Sequence, residues 1–146
     1  MKLADSNVLI YAVHQEAKHH RAALAWLDGA LSAGEAVIMP WLSLVSFMRI
    51  STHPDIYPQP QSIDDALQNV DAWLGVPSVI TGDPDRHHSR RMRELLSYSG
   101  IAGNLVNDAH LAALALQYGA TVVTYDHDFA LFPDVSWERP PPVPAD

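Results

Sequence analysis

The sequence predicts an α/β fold in which a mostly parallel sheet is covered by helices on both faces. Short apolar and β-branched runs alternate with longer amphipathic segments of helical spacing along the chain. This alternation is typical of βαβ units, whose right-handed crossovers place helices on the two faces of a parallel sheet. Because the 146 residues contain neither an internal repeat nor a linker-like stretch, we expect a single domain.

The chain opens with a predicted strand at 2–4, followed by three polar residues and a helical pattern that ends at Val13. A second helix is predicted over 19–32, where apolar residues recur at helical spacing and Gly34 follows. Its buried side is expected to consist of Ala23, Leu24, Leu27 and Leu31.

The middle of the chain contains two further predicted strands, at 36–39 and 78–80. Helical spacing predicts a helix over 41–50 and another that ends at Leu74. The second of these helices begins at a capping-box sequence, 62–65, in which Ser62 is suited to accept a backbone hydrogen bond.

The last third of the chain predicts a basic helix over 86–99, ended by Gly100, and a strongly apolar helix over 104–118. The β-branched run 121–124 predicts a strand, and a final strand is predicted at 135–137. The Pro-rich residues 140–146 cannot continue a sheet and are expected to form an extended tail beyond a domain of residues 1–139.

Composition limits the class of protein. The chain has no cysteine, which excludes disulfides and thiolate zinc sites. A formal net charge of −8 argues against non-specific coating of nucleic acid, but it is compatible with a nuclease that holds phosphate through a metal. No apolar run is long enough to cross a membrane and no secretory segment follows Met1, so we expect a cytoplasmic protein.

Acidic residues follow the predicted strands at the edge where α/β proteins bind their ligands. Asp5 follows the first strand, whereas Asp126 and Asp128 follow the strand at 121–124. Asp108 lies at the border of the apolar stripe of its helix and therefore needs a partner. The alternative is that Asp5, Ser6 or Asn7 caps the next helix, and that Asp108 or Asn104 interacts with the N-terminus of its own helix. Asn104 can already cap that helix, which favours a different role for Asp108.

If these acids converge, they need a counter-charge. Two carboxylates about 4 Å apart repel each other by roughly 4 kcal/mol at an effective dielectric constant near 20. Either one carboxyl keeps its proton or a divalent cation neutralises the group, and oxygen ligands suit Mg²⁺ or Mn²⁺. Such an ion polarises phosphate and activates water, so the pattern predicts metal-dependent hydrolysis of phosphodiester bonds.

The histidines and the basic helix are open to two interpretations. His14, His19, His20 and His53 are expected at the surface or in turns, whereas His127 has the position to face a substrate. The arginines of 86–93 form either a solvated helix face or a surface for RNA or an acidic partner.

Four motifs in order give the chain a resemblance to a known family. They are LADSNVLI at 3–10, WLSLVSFMRI at 41–50, NDAHLAALA at 107–115 and TYDHDF at 124–129. Over residues 2–139 the chain resembles the PIN-domain ribonucleases, and in particular the VapC-type toxins of bacterial toxin–antitoxin pairs. The resemblance implies a three-layer α/β/α sandwich and RNA cleavage that depends on Mg²⁺ or Mn²⁺.

The resemblance also implies roles for individual residues. Asp5, Asp108 and Asp126 match the catalytic metal-ligand acids, and Asp128 matches a less regular fourth acid. Asn7 or Ser6 would support the site by hydrogen bonding. Further predictions place Ser46 in support of the site and Arg49 and His127 at the substrate. The implied partners are RNA, a second copy in a homodimer, and a VapB-type antitoxin that covers the acidic groove.

One position departs from the family pattern. Many relatives have a Glu-Phe-Leu-Arg motif where this chain has Ser46-Phe47-Met48-Arg49. A hydroxyl is a poorer cation ligand than a carboxylate, so we expect weaker metal binding and one ion rather than two. The alternative is a catalytically weak or inactive PIN module that binds RNA or an antitoxin. Another alternative, an aspartyl-phosphate hydrolase with Asp5 as nucleophile, is disfavoured because Asn7 stands where a second acid is usual.

Overall fold

The computed structural model describes residues 1–99 and 103–144, and within them the chain forms an all-parallel sheet of five strands. The strands are β1 (Lys2–Ala4), β2 (Val37–Ile38), β3 (Val79–Ile80), β4 (Thr121–Val123) and β5 (Trp137–Glu138). Their order is β3-β2-β1-β4-β5, so β1 lies at the centre with β2 and β4 on either side. Since the strand order changes direction at β1, the carboxyl end of this strand is the expected place for a ligand.

Six α-helices within the described residues connect and flank the strands. They are α1 (Ser6–Val13), α2 (His20–Ser32), α3 (Trp41–Ser51), α4 (Ile63–Leu74), α5 (His88–Ser99) and α6 (Val106–Tyr118). Short 3₁₀ helices, at Gly103–Leu105 and His127–Leu131, precede α6 and follow β4. Among the described residues, no helix combines the length and apolar character needed to span a membrane.

The core consists of two apolar clusters, one on each face of the sheet. Ala4, Val37 and Val123 belong to the cluster with α1–α4, whereas their strand neighbours Leu3, Ile38 and Val122 belong to the cluster with α5 and α6. Successive residues of a strand face opposite sides, so these short apolar strands are buried on both faces. The predicted three-layer α/β/α fold with a parallel sheet is thereby confirmed.

The ends of the elements are determined by local hydrogen bonds. Ser62 caps α4 as predicted, since its hydroxyl accepts from the Asp65 backbone N–H at 3.0 Å. Gly119 ends α6 with a left-handed φ of 64°, which a residue without a Cβ adopts without strain. The expected cap by Asn104 is wrong, because Leu105 occupies the cap position of α6 and makes no side-chain cap hydrogen bond.

Other boundaries differ from the prediction by one to three residues. The basic helix begins at His88 rather than residue 86, because Asp85 accepts from the His87 N–H at 2.8 Å and forms a turn before the helix. The final strand is Trp137–Glu138, and residues 140–144 form no regular element. The predicted end at Gly100 and the last two residues of the predicted tail lie outside the described residues, and the division between domain and tail stays a prediction.

Candidate active site

Asp5 lies at the carboxyl end of the central strand and is buried, with 7% of its surface exposed. Its backbone N–H donates to the carbonyl of Val123 on β4, and its side chain accepts from the Ser6 N–H at 2.7 Å and so caps α1. The capping interpretation is therefore correct, and the same carboxylate also lines the acidic cleft at this edge. Burial raises the pKa of Asp5, while hydrogen bonds from Thr124 and Ser6 oppose that rise.

Thr124 connects the ends of β1 and β4 and was missed by the sequence analysis. Its hydroxyl donates to Oδ2 of Asp5 at 2.8 Å and accepts from the Asp126 backbone N–H at 2.9 Å. The side chain of Asn7 donates to Asp5 and to Thr124, and its Oδ1 accepts from the Tyr125 N–H at 3.1 Å. Asn7 thus makes hydrogen bonds to the residues that follow both strands, and its support of a metal site stays a prediction. The only signal for Thr124 is a polar residue at the end of a buried strand.

Three acids come together beside this network. One carboxylate oxygen from each of Asp108, Asp126 and Asp128 lies within 4.8 Å of the others. Asp108 is in the first turn of α6, and Asp126 accepts from the Asp128 N–H at 2.9 Å to cap the 3₁₀ helix. These acids and Asp5 line one cleft of about 360 Å³.

The electrostatics of the cleft are dominated by mutual repulsion of its acids. The pKa of Asp108 rises to about 7, first because burial penalises its charge and then because Asp126, Asp5 and Asp128 are close to it. A hydrogen bond between Asp108 and Asp126 raises it further. Without a cation, the cluster therefore holds a proton near neutral pH. A cluster of carboxylate oxygens with this much repulsion fits a divalent cation such as Mg²⁺ or Mn²⁺.

The remaining predicted site residues fall into two places. Ser6, Ser46 and Arg49 line the acidic cleft together with the acids. His127 is exposed and lies 2.7 Å from Arg139, as measured between Nε2 of the imidazole and Nη2 of the guanidinium. The substrate contacts of Arg49 and His127 stay predictions.

The histidine expectations are corrected at one position. His14 is buried rather than at the surface, because its ring stacks on Tyr57 with a centroid distance of 3.7 Å. His19, half-buried, stacks on Tyr125 next to the acidic cleft, which the sequence analysis did not predict. His110 contacts His88 on α5, with Nδ1 of His110 lying 2.8 Å from Nε2 of His88.

Replacing Thr124 by Val is expected to destabilise the protein by about 1–3 kcal/mol, because this change removes the donor to the buried Asp5 carboxylate. Any metal-dependent activity should fall by about 10–100-fold, which is the usual effect of losing a residue that hydrogen-bonds to a metal ligand. Thermal unfolding and a cleavage assay measure the two effects. Thr124→Ser, which keeps the hydroxyl, is the matched control. If Thr124→Val and Thr124→Ser have the same stability and activity, the hydroxyl of Thr124 does not support Asp5.

Comparison with known proteins identifies the class to which this fold and site belong. The PIN domain family matches residues 2–135, and the chain belongs to this family. It is 43% identical over 141 residues to "Ribonuclease VapC37" of Mycobacterium tuberculosis, covering 97% of this chain and 98% of the relative. It is 34% identical over 141 residues to "Ribonuclease VapC31" of the same species, covering 97% and 99%. The predicted resemblance to VapC-type PIN domains is thereby confirmed.

Solved structures share the fold at low sequence identity. FitAcB from Neisseria gonorrhoeae superposes with a TM-score of 0.66 at 20% identity, covering 96% of this chain and 98% of that one. VapBC2 from Rickettsia felis, bound to a DNA fragment from its promoter, gives a TM-score of 0.64 at 20% identity, covering 94% and 97%. These similarities support the architecture of the PIN fold.

Proposed function

We propose that this chain is a Mg²⁺-dependent endoribonuclease that acts as the toxin of a toxin–antitoxin pair. The observation that carries the proposal is the convergence of Asp108, Asp126 and Asp128 in the cleft that Asp5 also lines. The curated relatives with 43% and 34% identity are named as ribonucleases, which supports the class of reaction. The substrate is RNA, and the bond hydrolysed is a phosphodiester.

The roles of the acids follow from their positions. Asp108, Asp126 and Asp128 would hold the cation, and Asp5 would contribute its buried charge at the carboxyl end of β1. When bound, Mg²⁺ or Mn²⁺ supplies Lewis acidity to the phosphate and lowers the pKa of a bound water. Thr124 and Asn7 keep the Asp5 carboxylate fixed. Arg49, at the rim of the cleft, is suited to pair with a substrate phosphate.

The partners form a second part of the proposal. We infer a VapB-type antitoxin that presents a basic side chain to the acidic cleft, and a homodimer of the toxin in the cytoplasm. The surface beside the cleft supports a protein partner, because α3 carries Ser46 in the cleft wall and leaves Trp41 and Val45 each 51% exposed. Trp41 and Val45 are one helical turn apart and so form one apolar patch, and contiguous exposed patches are typical of sites of protein association.

The test of the proposed function is a cleavage assay with a purified chain and single-stranded RNA. We expect cleavage in Mg²⁺ or Mn²⁺, none in EDTA, and recovery when excess Mg²⁺ is added after EDTA. Electrophoresis of the end-labelled RNA measures the products. RNA binding without cleavage in either metal would favour the inactive module, and cleavage that persists in EDTA would overturn the metal-dependent reaction.

A further inference from the structure

A second, larger pocket of about 700 Å³ lies where the start of α2 meets the C-terminal segment. Apart from Gln15, its polar side chains are basic or aromatic, in contrast to the acidic cleft, and residues 140–143 add apolar surface. The lining includes Lys18, His19, His20, Arg21, Tyr125 and Arg139. Three of the nine Lys and Arg residues of a chain with a net charge of −8 therefore surround one pocket, which we call the cationic pocket.

The side chains of the cationic pocket form an ordered stack. The rings of His19 and Tyr125 lie 4.3 Å apart at an angle of 10°. The Arg139 guanidinium carbon lies 5.8 Å from the Tyr125 ring centroid, and Nη2 donates to the Tyr125 carbonyl at 3.3 Å. Arg139 makes no ion pair with a carboxylate in residues 1–99 or 103–144, so its charge is not neutralised by a described acid.

The cationic pocket lies next to the acidic cleft, because Tyr125 lines the pocket and Asp126 lines the cleft. Tyr125 precedes Asp126 in the chain, and the Tyr125 N–H donates to Asn7, whose amide also donates to Asp5. A strand that places one phosphate at the acids therefore reaches the cationic pocket with its neighbouring nucleotides.

We propose that the cationic pocket binds the single-stranded RNA that flanks the cleaved bond, an inference that rests on the proposed ribonuclease function. Lys18 and Arg139 contact backbone phosphates, and a base stacks against the His19–Tyr125 pair. Aromatic rings combined with cations are the usual surface for unpaired nucleotides, since stacking tolerates any base. An acidic peptide would use the charges but leave the aromatic stack without a ligand.

The test compares two pairs of charge-neutralising substitutions. The first double variant, Lys18→Gln with Arg139→Gln, removes two positive charges from the cationic pocket. The control, called the α5 pair, is Arg86→Gln with Arg90→Gln, which removes the same charge from exposed positions just before α5 and on it. Binding to a labelled single-stranded oligoribonucleotide is measured by fluorescence anisotropy in EDTA over a series of salt concentrations. Circular dichroism and thermal unfolding show whether each variant is folded, and Lys18→Gln alone serves as a second variant that leaves the Arg139 contacts intact.

The first pair is expected to weaken RNA binding at least tenfold. Losing two phosphate contacts should reduce the slope of log K against log salt by about 1.4, since each contact on a single strand contributes about 0.7. His19→Ala should weaken binding by about tenfold with an unchanged slope, because it removes stacking rather than charge. The α5 pair should change neither the affinity nor the slope.

The outcomes separate this inference from the proposed function. If the wild type cleaves RNA but the pocket variants keep its affinity and salt slope, the nuclease stands and this inference is overturned. If RNA binds through the pocket without any metal-dependent cleavage, the pocket is an RNA-binding site, but the nuclease fails and with it the assignment of the pocket to RNA that flanks a cleaved bond. Loss of RNA binding in the α5 pair alone assigns the RNA to that helix instead. Poly-glutamate that binds the pocket in place of RNA would assign it to a protein partner.

Discussion

Asp108→Asn is expected to abolish metal-dependent RNA cleavage while leaving the fold intact. Asp108 is the acid on which the charges of Asp5, Asp126 and Asp128 converge. An amide cannot neutralise a dication, so the variant should bind Mg²⁺ poorly. Mutating a residue that only hydrogen-bonds to a metal ligand usually lowers activity by about 10–100-fold. We therefore expect the loss of a ligand itself to lower the cleavage rate by more than about 100-fold. Calorimetric titration with Mg²⁺ and the cleavage assay measure the two effects.

The stability of the Asp108 variant distinguishes loss of function from loss of fold. The pKa of Asp108 in the folded protein is about 7, above its ordinary value of 3.8, so the folded state binds the proton more tightly than the unfolded chain does. The stability contributed by that proton is present at low pH and is lost as the pH rises through 7. In EDTA at pH 8, Asp108→Asn should therefore melt no lower than the wild type.

A matched control is available on the opposite helical layer. Asp71 is exposed on α4, and Asp71→Asn removes the same charge away from the cleft. This variant should keep wild-type Mg²⁺ affinity and cleavage. If Asp108→Asn cleaves RNA at the wild-type rate, or if both variants lose activity equally, Asp108 is not part of the reaction.

The sequence predicted the architecture well because the relevant signals are local. Short apolar strands alternate with helices along the chain. Because both faces of these strands are apolar, helices must pack on both sides of the sheet, which gives three layers. It also predicted that Asp5 and Asp126 would share an edge if their strands were parallel neighbours, and β1 and β4 are such neighbours.

The geometry within the site depended on contacts that a sequence pattern does not show. Asp128 approaches Asp108 and Asp126 because Asp126 caps a 3₁₀ turn and accepts from the Asp128 N–H. The role of Thr124 depends on its distance to Asp5, which is 119 positions away in the chain. The cationic pocket was missed for the same reason, since His19 and Arg139 meet only after folding. The basic cluster that a sequence pattern does show is 86–93, where Arg91 pairs with Asp85 at 2.6 Å.

Ser46→Glu is expected to tighten Mg²⁺ binding by about tenfold and to increase cleavage at limiting Mg²⁺. Ser46 lines the same cleft as the four acids, so a carboxylate there adds negative charge around the cation. At an effective dielectric constant near 20, one added charge a few ångströms from a dication provides several kcal/mol of attraction. Repulsion from the other acids opposes this attraction, and we expect a net gain of about 1.4 kcal/mol, which corresponds to tenfold in affinity. Calorimetric titration and cleavage rates over a Mg²⁺ series measure the change.

The same substitution should act in the opposite direction when the cation is removed. A fifth carboxylate beside Asp108 increases the repulsion that already raises its pKa, so Ser46→Glu should lower the melting temperature in EDTA and raise it in Mg²⁺. Ser46→Gln introduces a side chain of nearly the same shape as Glu but without its charge, and this variant should show neither effect. This reversal between the two conditions requires a charge that faces the ion. If Ser46→Glu behaves like Ser46→Gln in both EDTA and Mg²⁺, residue 46 does not face the cation, and the departure from the family motif has no consequence for metal binding.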